Sequence, residues 1–451
     1  MSSTPLPVPS PVGLKEAFWY WLKLGFISFG GPAGQIAIMH TDLVEKRRWI
    51  SEQRFLHALN YCMLLPGPEA TQLAIYIGWL LHRTWGGILA GVLFVLPSLL
   101  LLCLLAWVYL VYGDAPVISG ILYGIKPAVV AIVLAAAWRI GSRTLKNGWL
   151  IAIAVAAFLA IAVLSVPFPA IVALAAVLGL IGGRLLPGRF RLGMTHGGSA
   201  KTSYGPALID DHTPTPPHAI FSWRRLMIIS GVGVLLGVLI LGALAAILGK
   251  DQTLVIMGWF FTKAALLTFG GAYAVLPYVY QGAVESYAWV TAPQMIDGLA
   301  LGETTPGPLI MIVAFVGFVG GWTKEIFGSE SLMLGAMAGA GVATFFTFLP
   351  SFLFILAGGP LVESTRDNIK LTAPLTAISA AVVGVIASLA VFFGQHVFSP
   401  NGEWISLDWL AITIAAAALV ALVRFQVGTI RLIAISALLG LLASLLGLAQ
   451  G

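Results

Sequence analysis

Long, unbroken apolar runs set the pattern of this chain. Stretches such as Trp149–Ser165 and Leu226–Gly249 contain no charged residue. At the helical rise of ~1.5 Å per residue, runs of this length match a hydrocarbon core of ~30 Å. A transmembrane barrel would instead alternate polarity in segments of about ten residues. The pattern predicts helices near 84–112, 117–138, 149–165 and 168–183, then near 335–361, 372–394, 408–423 and 432–448, with 226–249 between the two sets. Segments 14–40 and 55–82, and their later equivalents, are interrupted by Phe-Gly-Gly and Pro-Gly-Pro. They either cross or turn back as re-entrant hairpins, and charge alternation fits best if 14–40 returns to its side of entry. The expected fold is an all-α polytopic membrane protein of about 10 spans.

The order of motifs shows an internal duplication. At a shift of 240, Trp19, Lys23, Phe29, Gly30 and Gly31 meet Trp259, Lys263, Phe269, Gly270 and Gly271. The same shift pairs Pro66-Gly67-Pro68 with Pro306-Gly307-Pro308. After an insertion around Thr323–Leu334 the shift becomes 253, and Leu96-Pro97-Ser98 meets Leu349-Pro350-Ser351. Residues 14–183 and 254–448 are thus two homologous repeats. Residues 184–225 read as a polar cytoplasmic linker expected to be mobile, and 226–249 as an unpaired connecting helix.

Loop charges orient the repeats. Lys46, Arg47, Arg48 and Arg54 have no basic counterpart in 281–294, and Arg139, Arg143 and Lys146 have none in 392–401. Conversely, Arg366 and Lys370 match the uncharged surroundings of Asp114, and Arg424 and Arg431 match an uncharged turn near Pro167. Lys and Arg concentrate on the cytoplasmic side. The halves are therefore expected upside down relative to each other, as in secondary transporters with inverted repeats.

Composition sharpens this picture. The 451 residues are 59% hydrophobic and 9% charged, too few polar groups for a soluble domain to cover itself. The net charge of +6 sits in short loops, so no nucleic-acid partner is expected. Cys62 and Cys103 lie in apolar runs and read as small buried hydrophobes. The start lacks a basic region before an apolar core, so no cleaved signal is expected. His196, Asp210, Asp211, His212 and His218 read as solvated linker residues rather than a metal site, and no cofactor is expected. No HExxH, GxSxG, Walker A or CxxC pattern is present, which argues against an enzyme or ATP-driven pump.

The motifs suggest where an anion would bind. Gly30-Gly31-Pro32 and Pro66-Gly67-Pro68 break regular helix, and each proline can open a new one. A helix N-terminus at membrane depth is an anion site, and such breaks are tolerated where they line a cavity. Kinks and close-packing glycines are the plain alternative, less favoured because both motifs recur in both halves. Lys23 and Lys263 would supply symmetric positive charge, or merely snorkel to the headgroups. Gln35, Gln72, Thr304 and Thr305 could bind oxyanion oxygens or act as interhelical glue. Glu69 and Glu303 are unmatched carboxylates and candidate proton carriers, Glu303 the better one. His40 reads as interfacial. Pro32 faces Ala272 and His40 faces Tyr280 in the repeat, so an asymmetric site is expected, with the first half giving more of the anion contacts.

The stretches FGGPAGQIAIMH, EKRRWISEQRF, LPGPEATQLAIYIGW, TFGGAYAVLPYVYQ and LGETTPGPLIMIVAFVGF resemble the chromate ion transporter family, from about Leu14 to Pro360. The match is to its long members, built of two fused homologous halves. The resemblance implies efflux of chromate from the bacterial cytoplasm driven by the proton motive force, with sulfate as chemical analogue. Expected partners are the chromate or sulfate anion, protons and the lipid bilayer, in the inner membrane, with a homodimer as the assembly carried forward. The expected site joins Lys23, Gly30, Gly31, Pro32, Gln35, Pro66, Gly67 and Pro68 to Lys263, Gly270, Gly271, Thr305, Pro306, Gly307 and Pro308, with Glu69 and Glu303 for proton coupling. Rival readings are an uptake permease for sulfate or another oxyanion, and a non-transporting membrane enzyme or channel-like scaffold.

Overall fold

The computed structural model describes residues 9–29, 31–190, 204–211, 213–214, 216–269, 271–364, 372–399 and 407–447. These residues are helical apart from turns and one isolated parallel bridge, Ile50 to Ile209.

The first half opens with α1 (Leu14–Ile27), which buries Ala17, Tyr20, Trp21 and Leu24. A break at Ser28 leads into α2 (Gly31–His40), which runs on as a π-helical turn, Thr41–Lys46. Arg47 pairs with Glu16 at 3.1 Å, and its guanidinium lies over the Tyr20 and Trp49 rings. The chain therefore comes out where it went in. The segment is a re-entrant hairpin, as charge alternation favours. Next, α3 (Glu52–Cys62), capped by the Ser51 hydroxyl, runs inward to the Pro66–Pro68 corner. The outgoing arm, α4 (Glu69–Tyr112), loses helical geometry at His82 and Arg83. There His82 Nε2 bonds the Val12 carbonyl at 2.7 Å, back beside the start of α1. Thus α3 and the first part of α4 form a second hairpin, and the rest of α4 is the first crossing. The helices α5 (Pro116–Thr144), α6 (Gly148–Ala162) and α7 (Phe168–Leu185) follow, then the short α8 (Pro187–Phe190).

The connecting helix α9 (Trp223–Leu248) carries no charge after Arg225, and Gly233 is its one buried residue. The second half repeats the first: α10 (Thr253–Leu267), a 3-10 turn Ala272–Val275, α11 (Leu276–Tyr280), α12 (Ala292–Thr304), α13 (Ile312–Thr323), α14 (Leu332–Ser364), α15 (Thr372–Phe398), α16 (Trp409–Val423) and α17 (Thr429–Leu445). The Thr323–Leu334 insertion is the loop that separates α13 from α14, where the first half has only the kink in α4. Gly317 and Gly321 pack on Gly339 and Gly335, so close that a methyl group on Gly321 would lie 2.2 Å from the Gly335 carbonyl oxygen.

Equivalent helices run antiparallel. Gly87 faces Leu356 while Gly91 faces Phe352, so α4 and α14 run in opposite directions. Gly141 faces Val383 and Gly394 faces Val130, two contacts that the shift of 253 exchanges. A two-fold axis lying across the helices relates the halves, which is the inverted repeat. Among the described residues six helices, α4, α5, α7, α9, α14 and α15, are long and apolar enough to cross a membrane. With the shorter apolar helices α6, α16 and α17 the pattern is four per half plus α9, against the ten or so expected.

The halves interlock. Gly384 on α15 touches Ala154 and Phe158 of α6, and Gly179 of α7 touches Ala373 and Pro374. Symmetrically, Gly124 of α5 meets Ser436 and Gly440 of α17. The last two helices of each repeat thus cover the central helix of the other.

The described part of the linker departs from the free connector expected. The Leu208 and Ile209 amides donate to the Arg48 and Trp49 carbonyls, and the Ser51 amide donates to the Ile209 carbonyl. Ser51 Oγ bonds Asp211, and His218 Nε2 bonds the Trp79 carbonyl. Ala207, Ile209 and Ala219 are buried. These three apolar side chains give a polar-looking segment a reason to dock. His196, His212, Arg366 and Lys370 lie outside the described residues.

Candidate anion site where the broken hairpins meet

In the interior, the Pro-Gly-Pro corner of each half meets the Phe-Gly-Gly break of the other. Pro68 and Pro308 are N-caps, of α4 and of the 3-10 turn Leu309–Met311 that leads into α13. Each is preceded by a glycine of positive φ, +123° at Gly67 and +102° at Gly307. The Gly67 amide donates to the Thr268 carbonyl at 2.8 Å, and the Gly307 amide donates to the Ser28 carbonyl at 2.7 Å. These are the same bond, exchanged by the repeat. A methyl group at Gly67 would lie 2.4 Å from Ser351 Oγ, and one at Gly307 2.7 Å from Ser98 Cβ. Only glycine fits, for backbone and for space. The Phe-Gly-Gly, Pro-Gly-Pro and Leu-Pro-Ser motifs therefore converge on two equivalent cross-half contacts.

Polar side chains line them. Gln35 Nε2 donates to the Gly307 carbonyl at 2.5 Å, and Gln72 Nε2 donates to the Pro66 carbonyl at 2.7 Å and to Ser351 Oγ at 3.4 Å. Ser28, Gln35, Gln72, Ser98, Thr268 and Ser351 are all buried. Yet Ser28 Oγ, Ser98 Oγ, Gln35 Oε1 and Gln72 Oε1 have no partner. An unpaired buried polar atom costs about 1–3 kcal/mol, so the three at the Gly307 contact and the one at the Gly67 contact call for an explanation. Beside them, Gly31 (φ +70°) and Gly271 (φ +101°) face space that an added methyl group would leave unfilled. The Ser28 and Ser98 hydroxyls, sealed from solvent in this conformation, are donors of the kind that receive the oxygens of a small anion.

Other expected residues are placed differently. The Gly67 and Gly307 amides are spent on the cross-half bonds and are not free donors in this conformation. Thr304 and Thr305 donate to the Leu301 and Gly302 carbonyls of their own helix. Pro32 sits in the first turn of α2, and Pro66 and Pro306 complete the corners; Gly30 and Gly270 lie outside the described residues. Lys23 is exposed on the outer face of α1 with Trp19, Phe26 and Ile27, a snorkelling position away from the corners. Lys263 lines a lateral cavity of about 520 Å³ with Phe260, Tyr278, Gln281 and Tyr287, and its ammonium lies 5.8 Å from the Trp259 ring.

Glu303 is buried and accepts a hydrogen bond from the Tyr273 hydroxyl at 2.5 Å. Glu69 opens α4, half-buried. His40 lies between Glu45 and Glu52 at the outer end of the first hairpin, as an interfacial residue would. Sequence reasoning missed Lys126 and Asp297, which pair at 3.4 Å, with the Tyr109 hydroxyl donating to Asp297 at 3.0 Å. Their signal was available: each is a lone charge inside an apolar segment.

Comparison with known proteins agrees with this architecture. The family model described as "Chromate transporter" matches residues 15–180 and again 255–441, one match per repeat. A "Chromate transport protein" of Pseudomonas aeruginosa is 32% identical over 395 residues, covering 86% of this chain and 83% of that protein. One of Cupriavidus metallidurans is 28% identical over 384 residues, covering 85% and 83%. An uncharacterized transporter of Bacillus subtilis, YwrA, is 29% identical over 172 residues, which is 38% of this chain but 96% of that protein. No solved structure matches the chain. With both halves matched, this chain belongs to the chromate transporter family and is a multi-pass membrane transporter rather than an enzyme.

Proposed function

We propose that the protein exports chromate across a bacterial inner membrane by alternating access, driven by the proton motive force. The observation that carries this reading is the reciprocal corner contact with its unpartnered buried Ser28 and Ser98 hydroxyls. Chromate is a tetrahedral dianion whose oxygens accept hydrogen bonds from such donors, and sulfate has the same shape and charge. Inverted halves can exchange conformations, which opens a central site to one side and then the other. Glu303, held by Tyr273 at the mouth of the second corner, is the group that would carry the proton, with Glu69 as its weaker counterpart. The face bearing Lys46, Arg47, Arg48, Arg139, Arg143 and the docked linker is the cytoplasmic one by its charge. The relatives named for chromate transport support the substrate.

Everted vesicles test the reading. Energised vesicles holding this protein accumulate chromate, a protonophore abolishes the uptake, and Glu303→Gln loses it. Accumulation of sulfate or chromate in right-side-out vesicles alone would replace export by uptake. No flux in either orientation would remove transport altogether.

A further inference from the structure

We infer that Lys126 is the fixed cation that meets the translocated anion between α5 and the second-half hairpin, with Asp297 as its resting counter-ion. This deepens the transport reading above and rests on it.

The pair joins the two halves: Tyr109 on α4 and Lys126 on α5 come from the first, Asp297 on α12 from the second. Its two ends differ. The Asp297 side chain is 3% exposed and held by Tyr109, whereas the Lys126 side chain is 32% exposed. An incoming ion can reach the ammonium while the carboxylate stays sealed. Asp297 Oδ1 has no hydrogen-bond partner, and the lysine at 3.4 Å is its charge neighbour. The contact is loose enough to exchange.

A structural role explains the pair poorly. A buried ion pair seldom stabilises a fold more than apolar residues of the same volume. The backbone bonds that hold the corners together are doubled by the repeat, at Gly67 and Gly307. This pair is not: Lys126 aligns with Ser379 and Asp297 with His57. A dianion leaving water needs positive charge beside its path. Lys23 faces outward, Lys263 lines the lateral cavity and Arg139 is exposed near the end of α5, whereas Lys126 stands between the halves. An ammonium offers three donors as a compact charge, which suits a tetrahedral oxyanion.

The mechanism follows from exchange of partners. Without anion, Asp297 neutralises Lys126. When the anion arrives, it takes over the ammonium, and Asp297 reclaims it as the anion leaves.

Purified protein in proteoliposomes, with chromate as probe, tests this by flux and by chromate-induced thermal stabilisation. Lys126→Gln should cut flux about tenfold or more. Lys126→Arg should keep flux with a raised KM. Asp297→Asn should lower KM for chromate while slowing turnover, because nothing displaces the anion. The deciding variant is the folded double Lys126→Gln/Asp297→Asn, which leaves no orphan charge. Under the inference it is as inactive as Lys126→Gln; under a purely structural role it recovers wild-type flux, and that result overturns the proposal. A wild-type protein that neither binds nor carries chromate removes the functional reading itself.

Discussion

The two halves share a backbone and divide the chemistry. Both bring a Phe-Gly-Gly break to the opposite Pro-Gly-Pro corner with the same bond. In the first half, α2 starts as regular helix at Gly31 and Pro32, and Gln35 and Gln72 reach into the contacts. Their counterparts are Val275 and Ile312. In the second half the break opens as a 3-10 turn, because Ala272 stands where Pro32 does and the proline comes later, at Pro277. That half carries Tyr273, Asp297 and Glu303 instead. Duplication has kept the geometry that holds the corners together and let the titrating groups collect on one side. The docked linker sharpens the contrast, since it straps the outer ends of the first-half hairpins.

Several measurements would break or sharpen this contrast. The largest effect concerns topology: single cysteines at Lys46 and Glu285, both exposed, should label from opposite sides of the membrane. Labelling from one side would end the inverted arrangement. Native Cys62 and Cys103 are buried and should stay silent. Next come the carboxylates. Glu303→Gln should lower proton-driven chromate flux by about a hundredfold, a loss within the range of removed general acid–base groups, and Glu69→Gln far less. Equal losses would restore symmetry between the halves.

Gly67→Ala and Gly307→Ala should instead behave alike, each destabilising by about 1–3 kcal/mol from φ strain, with a collision at a serine in addition. Thermal unfolding in detergent reads this, and a large difference would deny the two-fold equivalence of the corners. Gln35→Val and Gln72→Ile place the second half's own residues in the first. Each should cost about 1 kcal/mol in anion binding, read as a rise in chromate KM. The smallest effects belong to the periphery. Ser51→Ala should leave flux unchanged but speed proteolysis of the linker, and Lys23→Ala should change neither.

The corners were legible in the sequence because the duplication wrote them twice, and a motif kept in both halves marks a shared structural need. The inversion was legible from loop charge for the same reason. What repetition could not mark was missed. Lys126 and Asp297 occur once each, so alignment of the halves passed over them. The docking of 204–211 depends on two apolar side chains, Ala207 and Ile209, inside a segment whose overall polarity argues for solvent. Lys23 and Lys263 show the converse: they repeat faithfully, with anion charge and snorkelling both open from sequence, because a shared place in the alignment does not decide which way a side chain points. The partner of each apolar helix was equally hidden, since a uniformly apolar face names no neighbour.

The exchange of α6 and α7 against α16 and α17 bears on how the protein is made. When the ribosome has delivered only the first repeat, α6 and α7 have no α15 to cover, and α5 has no α17. Those surfaces must wait in the lipid until the final helices insert. Assembly is therefore completed from the C-terminal end, and a polypeptide carrying a single repeat would need a second chain to close the same core.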